Sequence, residues 1–257
     1  MPFTFAHPAA ILPLRRFKFL QTVPLVIGSL TPDVPHFLPY KWAALFSDTH
    51  SIYGSFVICL PLGMAILLLT LLTREPLTIL LGPRLRWLAQ RSVSRFFESP
   101  LHWPIALFSV LVGTWTHLAW DSFTHPAGWT TLRVPALSAP VAIFGWQTET
   151  YHLLQYLSSV FGLVVLALWL RGMLARVPAT VRADASGSRG RWIVLALILC
   201  IALSIGATRA IWSLNAGLYY RTGFLFLTRS IGWFLAMYLL AGIVVVLGRR
   251  PQWEPAS

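Results

Sequence analysis

Apolar residues in this chain run in long blocks rather than in alternating or one-faced patterns. Blocks at 51–73, 103–124, 151–173, 192–212 and 229–248 each approach the roughly 20 residues that a transmembrane helix needs. A sixth run, 19–30, is shorter and contains Pro24; it predicts an interfacial or re-entrant helix rather than a span. Polar residues gather between the blocks. Ser29-Leu-Thr-Pro-Asp33-Val-Pro-His36 is a proline-punctuated loop. Residues 74–100 set Arg74, Arg84, Arg86, Arg91 and Arg95 among leucines and aromatics, the pattern of a basic helix lying on a membrane. Residues 174–191 form a basic linker rich in small residues. The pattern predicts an all-α polytopic bundle of about five transmembrane helices, preceded by the re-entrant or interfacial helix. It divides into a motif-bearing part (1–176), a linker (177–190) and C-terminal transmembrane helices (191–257).

Composition narrows the class. Of 257 residues 56% are hydrophobic and 11% charged, against about 25% charged in soluble domains; water-soluble classes are excluded. The net charge of +12 in such a chain points to cytoplasmic loops and anionic lipid, not to nucleic acid. The partner it implies is the bilayer. Cys59 and Cys200 stand far apart in apolar runs and suggest neither a disulfide framework nor a thiolate metal site.

Charge also predicts topology. With 74–100 and 174–191 cytoplasmic, the 126–150 loop faces outward, and so does the N-terminal segment if it does not cross. His7, Asp33, His36, His50, His117, Asp121, His125, Glu149 and His152 then meet at the outer face. Arg15, Arg16, Lys18 and Lys41 run against the usual bias on that side. They fit lipid phosphates or a substrate phosphate, for which Arg133 is a further candidate.

The sharpest motif is His117, Asp121 and His125, spaced by four. On a helix such residues share one face at about 6 Å per step. Asp121 lies between the imidazoles and can bridge two ions; Pro126 predicts that the helix ends at His125. Imidazole and carboxylate suit zinc, manganese or iron, and two bridged cations suit hydrolysis of a phosphoester. Candidate ligands are His7, Asp33, His36, His50, His117, Asp121 and His125, with zinc first. Asp121 and Glu149 are the candidate catalytic groups, Glu149 as base or ligand. Each has a plainer reading. Asp33 suits a turn or cap, His50 a helix N-terminal turn, and Glu149 and His152 the start of a span. Arg209 is a functional candidate by its depth, or a snorkelling side chain. His102 and the tryptophans near span ends read as interface anchors.

Met1–Ala9, Ser29–Asp33 and His117–Asp121 together resemble an uncharacterised bacterial membrane family. It opens with Met-Pro-Phe-Thr…His-Pro-Ala and carries a Ser-x-x-Pro-Asp loop and a His-x-x-x-Asp helix. More remotely, with Thr49-His50-Ser51, the ligand order is similar to that of inner-membrane metal-dependent hydrolases and of zinc-dependent phospholipase C. That similarity implies His7, Asp33, His50, His117, Asp121 and His125 as ligands of a phosphoesterase centre. The closing His-x-x-x-Glu of those enzymes is missing, since Tyr156 follows His152 at that spacing. The expected function is a membrane-bound, metal-dependent hydrolase of a phosphoester such as a lipid head group. The alternative is a non-enzymatic membrane protein, a transporter, sensor or scaffold, using the same cluster.

Overall fold

A computed structural model describes residues 3–38, 46, 48–94, 99–143, 145–183, 188–218 and 222–248. Lys41, Arg95 and linker positions 184–187 lie outside them. The helices are α1 (Thr22–Leu30), α2 (Ile52–Leu72), α3 (Arg74–Ile79), α4 (Pro83–Ser94), α5 (His102–Thr124), α6 (Thr150–Ala175), α7 (Ala179–Ala183), α8 (Ser188–Asn215) and α9 (Thr222–Leu247). Strands β1 (Pro140–Ile143) and β2 (Trp146–Glu149) pair antiparallel before α6. The architecture is all-α apart from this hairpin. Among the described residues, four helices are long and apolar enough to cross a membrane: α2, α6, α8 and α9. This is a helical membrane protein. The 103–124 block does form a helix, α5, but it is not one of those four. Ser109, Thr114, Thr116, His117, Asp121 and Ser122 interrupt its apolar character.

Two compact units emerge. The first comprises 1–35, 40–69 and 94–175; the second comprises 36–39, 70–93 and 176–257. The second thus takes in α3 and α4, which the apolar pattern assigns to the motif-bearing part. Within it α8 and α9 pack as a hairpin, with Gly206 against Ser230. Tyr238 of α9 donates to the Leu77 carbonyl at 2.9 Å, and Arg229 to the Leu38 carbonyl at 2.8 Å. Within the linker, α7 occupies five residues and α8 starts at Ser188.

In the first unit the N-terminal segment doubles back on itself. The Phe3 amide donates to Ser159 of α6 at 2.9 Å, and Arg15 stacks over Trp169 at 4.6 Å. Ten residues of α6 separate those contacts, about 15 Å of rise. The chain then turns and comes back along α5. The Gln21 amide meets Ser109 at 3.0 Å, and the Ser29 carbonyl meets His117 at 2.8 Å, eight residues or about 12 Å further along. Both arms therefore begin and end at the same level. Pro24 permits this return because it falls in the first turn of α1, where a missing N–H costs nothing.

The return arm fits α5 without a gap. A Cβ at Gly28 would overlap the Val110 carbonyl, and one at Gly113 the Leu25 carbonyl. Such small-residue contacts bring helix backbones together where lipid offers no hydrophobic drive.

Candidate metal centre

Four segments of the first unit build the centre. The Thr4–Ala9 turn brings His7. The turn that follows α1, Thr31–Phe37, brings Asp33, and α5 brings His117 and Asp121 from adjacent turns. His50 arrives just before α2, whose start Ser51 caps by accepting from the Gly54 amide at 2.8 Å. Pro126 ends α5 at Thr124 and leaves His125 extended (φ −124°, ψ 147°), the conformation a following proline favours. His125 turns back so that its Nδ1 is 3.6 Å from Asp121 Oδ1.

Asp33, His50, His117 and Asp121 each offer one ligand atom, all within 4.8 Å of one another. Asp121 Oδ2 lies 3.2 Å from His117 Nε2 and 3.5 Å from His50 Nε2. Asp33 Oδ1 lies 3.4 Å from His50 Nε2 and 3.6 Å from His117 Nε2. On its other side Asp121 Oδ1 is 3.5 Å from His7 Nε2. The rings of His7 and His117 stack at 3.8 Å.

Neighbouring groups decide which way the imidazoles present their lone pairs. The Ser29 carbonyl beside His117 Nδ1 only accepts, so Nδ1 carries hydrogen and Nε2 faces the cluster. Thr49 donates its hydroxyl hydrogen to the Pro32 carbonyl at 2.8 Å, so His50 Nδ1, 3.1 Å away, must donate to Thr49. His50 Nε2 is thereby aimed inward as well. Thr4 donates to Asp33 Oδ2 at 2.7 Å and leaves Oδ1 for the cluster. Sequence reasoning missed these supports. Thr49 adjoins His50 and Thr4 lies three residues before His7, which is a signal; the Ser29 carbonyl has none.

The centre therefore concentrates acceptors. His7 Nδ1 and Nε2, His117 Nε2 and both oxygens of Asp121 are buried without a hydrogen bond among the described residues. Buried carboxylates without compensation are costly, and inward lone pairs call for a cation. The His/Asp group can hold a metal ion. Protonation agrees. Burial holds His7 down to about 3, so it is neutral, the ligating form. Burial also lowers His125. At His50 burial pulls down, but the Asp121 and Asp33 carboxylates, 3.5 and 3.4 Å away, prevail and raise it to about 9. Asp33 is held below its ordinary value: burial pushes it up, but His50 and the other nearby imidazoles outweigh that.

Other candidates lie elsewhere. His36 falls in the second unit, edge-on to Phe224 at 5.4 Å. Glu149 is carried by the hairpin, opposite Pro140, and pairs with His152 at 3.1 Å, both side chains near half exposed. It is not among the four residues of that group. Arg15 and Arg16 sit near the turn where the N-terminal segment doubles back, not at the centre; Arg15 donates to Thr22 at 3.3 Å. Arg133 is exposed, stacked over Trp129 at 4.4 Å and bonded to its carbonyl at 3.0 Å.

The fold and centre define a helical membrane protein with a buried His/Asp cluster. The chain belongs to the family described as Domain of unknown function (DUF4184), whose model matches residues 1–247. No curated protein and no solved structure matches the chain. The resemblance to metal-dependent hydrolases and phospholipase C thus has no match behind it, and no family name indicates hydrolase activity.

Proposed function

We propose that this protein is a membrane-bound, metal-dependent hydrolase that cleaves a phosphoester such as a lipid head group at the outer membrane face. Asp121 bridges two divalent cations, zinc in the first instance. The observation that carries this reading is the division of Asp121: Oδ2 faces His50 and His117, while Oδ1 faces His7 and His125. Cations held there supply Lewis acidity toward a phosphoryl oxygen and acidify water. His50 and His125 are the partly exposed members, at 35% and 24%, so substrate and water approach past them. His7, Asp33 and His117 are closed to solvent and hold the floor of the site in place.

Elemental mass spectrometry on detergent-purified protein tests the metal. Hydrolysis of bis(p-nitrophenyl) phosphate and of phospholipid vesicles tests the chemistry. About two equivalents of zinc, manganese or iron with phosphoester turnover support the proposal. Stoichiometric metal without turnover on either substrate would favour a sensor, transporter or scaffold. Absence of metal after reloading removes all of these metal-based readings.

Two further results are expected. Thr49→Val removes the acceptor that orients His50 and should weaken metal binding by about 10–100-fold, read by competition with a fluorescent zinc chelator. The apparent affinity should also rise with pH. Metal-free His50 is protonated below about 9 and must lose that proton on loading. Affinity then climbs about tenfold per pH unit below that value for this one proton. Titration calorimetry in two buffers of different ionisation enthalpy would count the released protons; a pH-independent affinity would contradict the assignment of His50.

A further inference from the structure

An apolar groove runs along the outside of the first unit between α5 and α6. Ala10, Thr116, Ala119, Trp120, Phe123 and Leu154 line it, and its volume is about 550 Å³, within the range of small-molecule sites. Its back wall is the metal centre's own wall. The Trp120 ring lies edge-on to His7 at 5.6 Å, and its Nε1 donates to Ser158 at 3.1 Å, which fixes the indole between groove and imidazole. Thr124, one turn beyond Asp121 on α5, lines the groove too. The α6 side is open to bilayer: this apolar span keeps only 11% of its most apolar window buried, and Tyr156, Leu157, Val160 and Phe161 are exposed. Lipid is what covers such a surface in a membrane.

We infer that the groove between α5 and α6 is the acyl-chain subsite of the centre, and that it holds one chain of a phospholipid whose phosphate reaches the Asp121 cluster from the His50 and His125 side. The inference rests on the phosphoester reading only for the head group; chain occupancy stands on the groove. A lipid seated this way stays in the bilayer while its phosphate approaches the metals. Trp120 then separates chain from ligands and keeps methylenes off His7.

The experiment uses the full-length protein in phosphatidylcholine nanodiscs doped with phosphatidylglycerol that carries a mid-chain diazirine. After irradiation the adducts are mapped by peptide mass spectrometry. Adducts concentrated at Ala119, Phe123 and Leu154, relative to the exposed Val164 and Leu168 on the same span, are expected. Ala119→Phe fills the groove from an exposed position of α5 and excludes at least two methylenes. Groove adducts should drop about tenfold, with metal content unchanged. Even labelling of all exposed apolar positions, or groove labelling unaffected by Ala119→Phe, would overturn the inference. Because labelling needs no turnover, a protein that labels in the groove but hydrolyses nothing would keep the lipid subsite and remove the hydrolase.

Discussion

Replacing Asp121 with asparagine is expected to empty the metal centre while leaving the protein folded. The substitution keeps the side chain's size and its place on α5, but the amide offers one neutral oxygen and turns the other position into a donor. It can no longer present one oxygen to His50 and His117 and the other to His7 and His125. Metal content should fall at least about tenfold, in line with the loss of a charged candidate ligand. The metal-free variant should be less stable than metal-free wild type, because Asp121 is one of the two carboxylates that keep His50 charged. Elemental analysis and thermal unfolding in detergent, each with and without chelator, read both effects. A variant that retains its metal would remove Asp121 as a ligand. A variant that fails to accumulate would give the cluster a structural role.

The second large effect concerns packing. Gly28→Val or Gly113→Val should destabilise the first unit by about 3 kcal/mol or more, at the upper end of overpacking costs. At both positions the new Cβ meets main-chain atoms rather than side chains that can swing away. These are the Val110 carbonyl for Gly28, and the Leu25 carbonyl and Ser29 amide for Gly113. The consequence reaches the metal. Separating α1 from α5 withdraws the Ser29 carbonyl from His117 Nδ1 and so frees that ring to turn. Metal content should fall along with melting temperature. Gly172→Ala on α6 is the control, since nothing lies within 4 Å of its Cβ position; it should leave both unchanged. Equal effects at all three glycines would show that general helix propensity, not this contact, governs the result.

How far the chain could be read in advance follows from the range of each interaction. The apolar blocks announced the helices because a span must satisfy its backbone within one segment. The four-residue spacing on α5 placed His117 and Asp121 on one face because helical geometry is local. Pro126 marked the helix end for the same reason. Pro24 marked the run as a short helix rather than a span, and it falls in the first turn of that helix. His36 and Glu149 looked as eligible as Asp33 and His50. Where they come to lie depends on Phe224, far away in sequence, and on a hairpin register.

By itself, then, the sequence determined the membrane class, the helical content and the presence of His/Asp ligands on α5. These follow from residue type and from spacings of a few residues. The tertiary structure alone decided that residues 3–15 run beside α6 and residues 21–29 double back beside α5. It also decided that His7 and His50 face opposite oxygens of Asp121, and that Ser29, Thr49 and Thr4 orient the ligands. The physical reason is the length of chain spanned: His7, Asp33, His50 and Asp121 are brought together across more than a hundred residues by backbone contacts at Gly28 and Gly113, and no local pattern encodes contacts of that range.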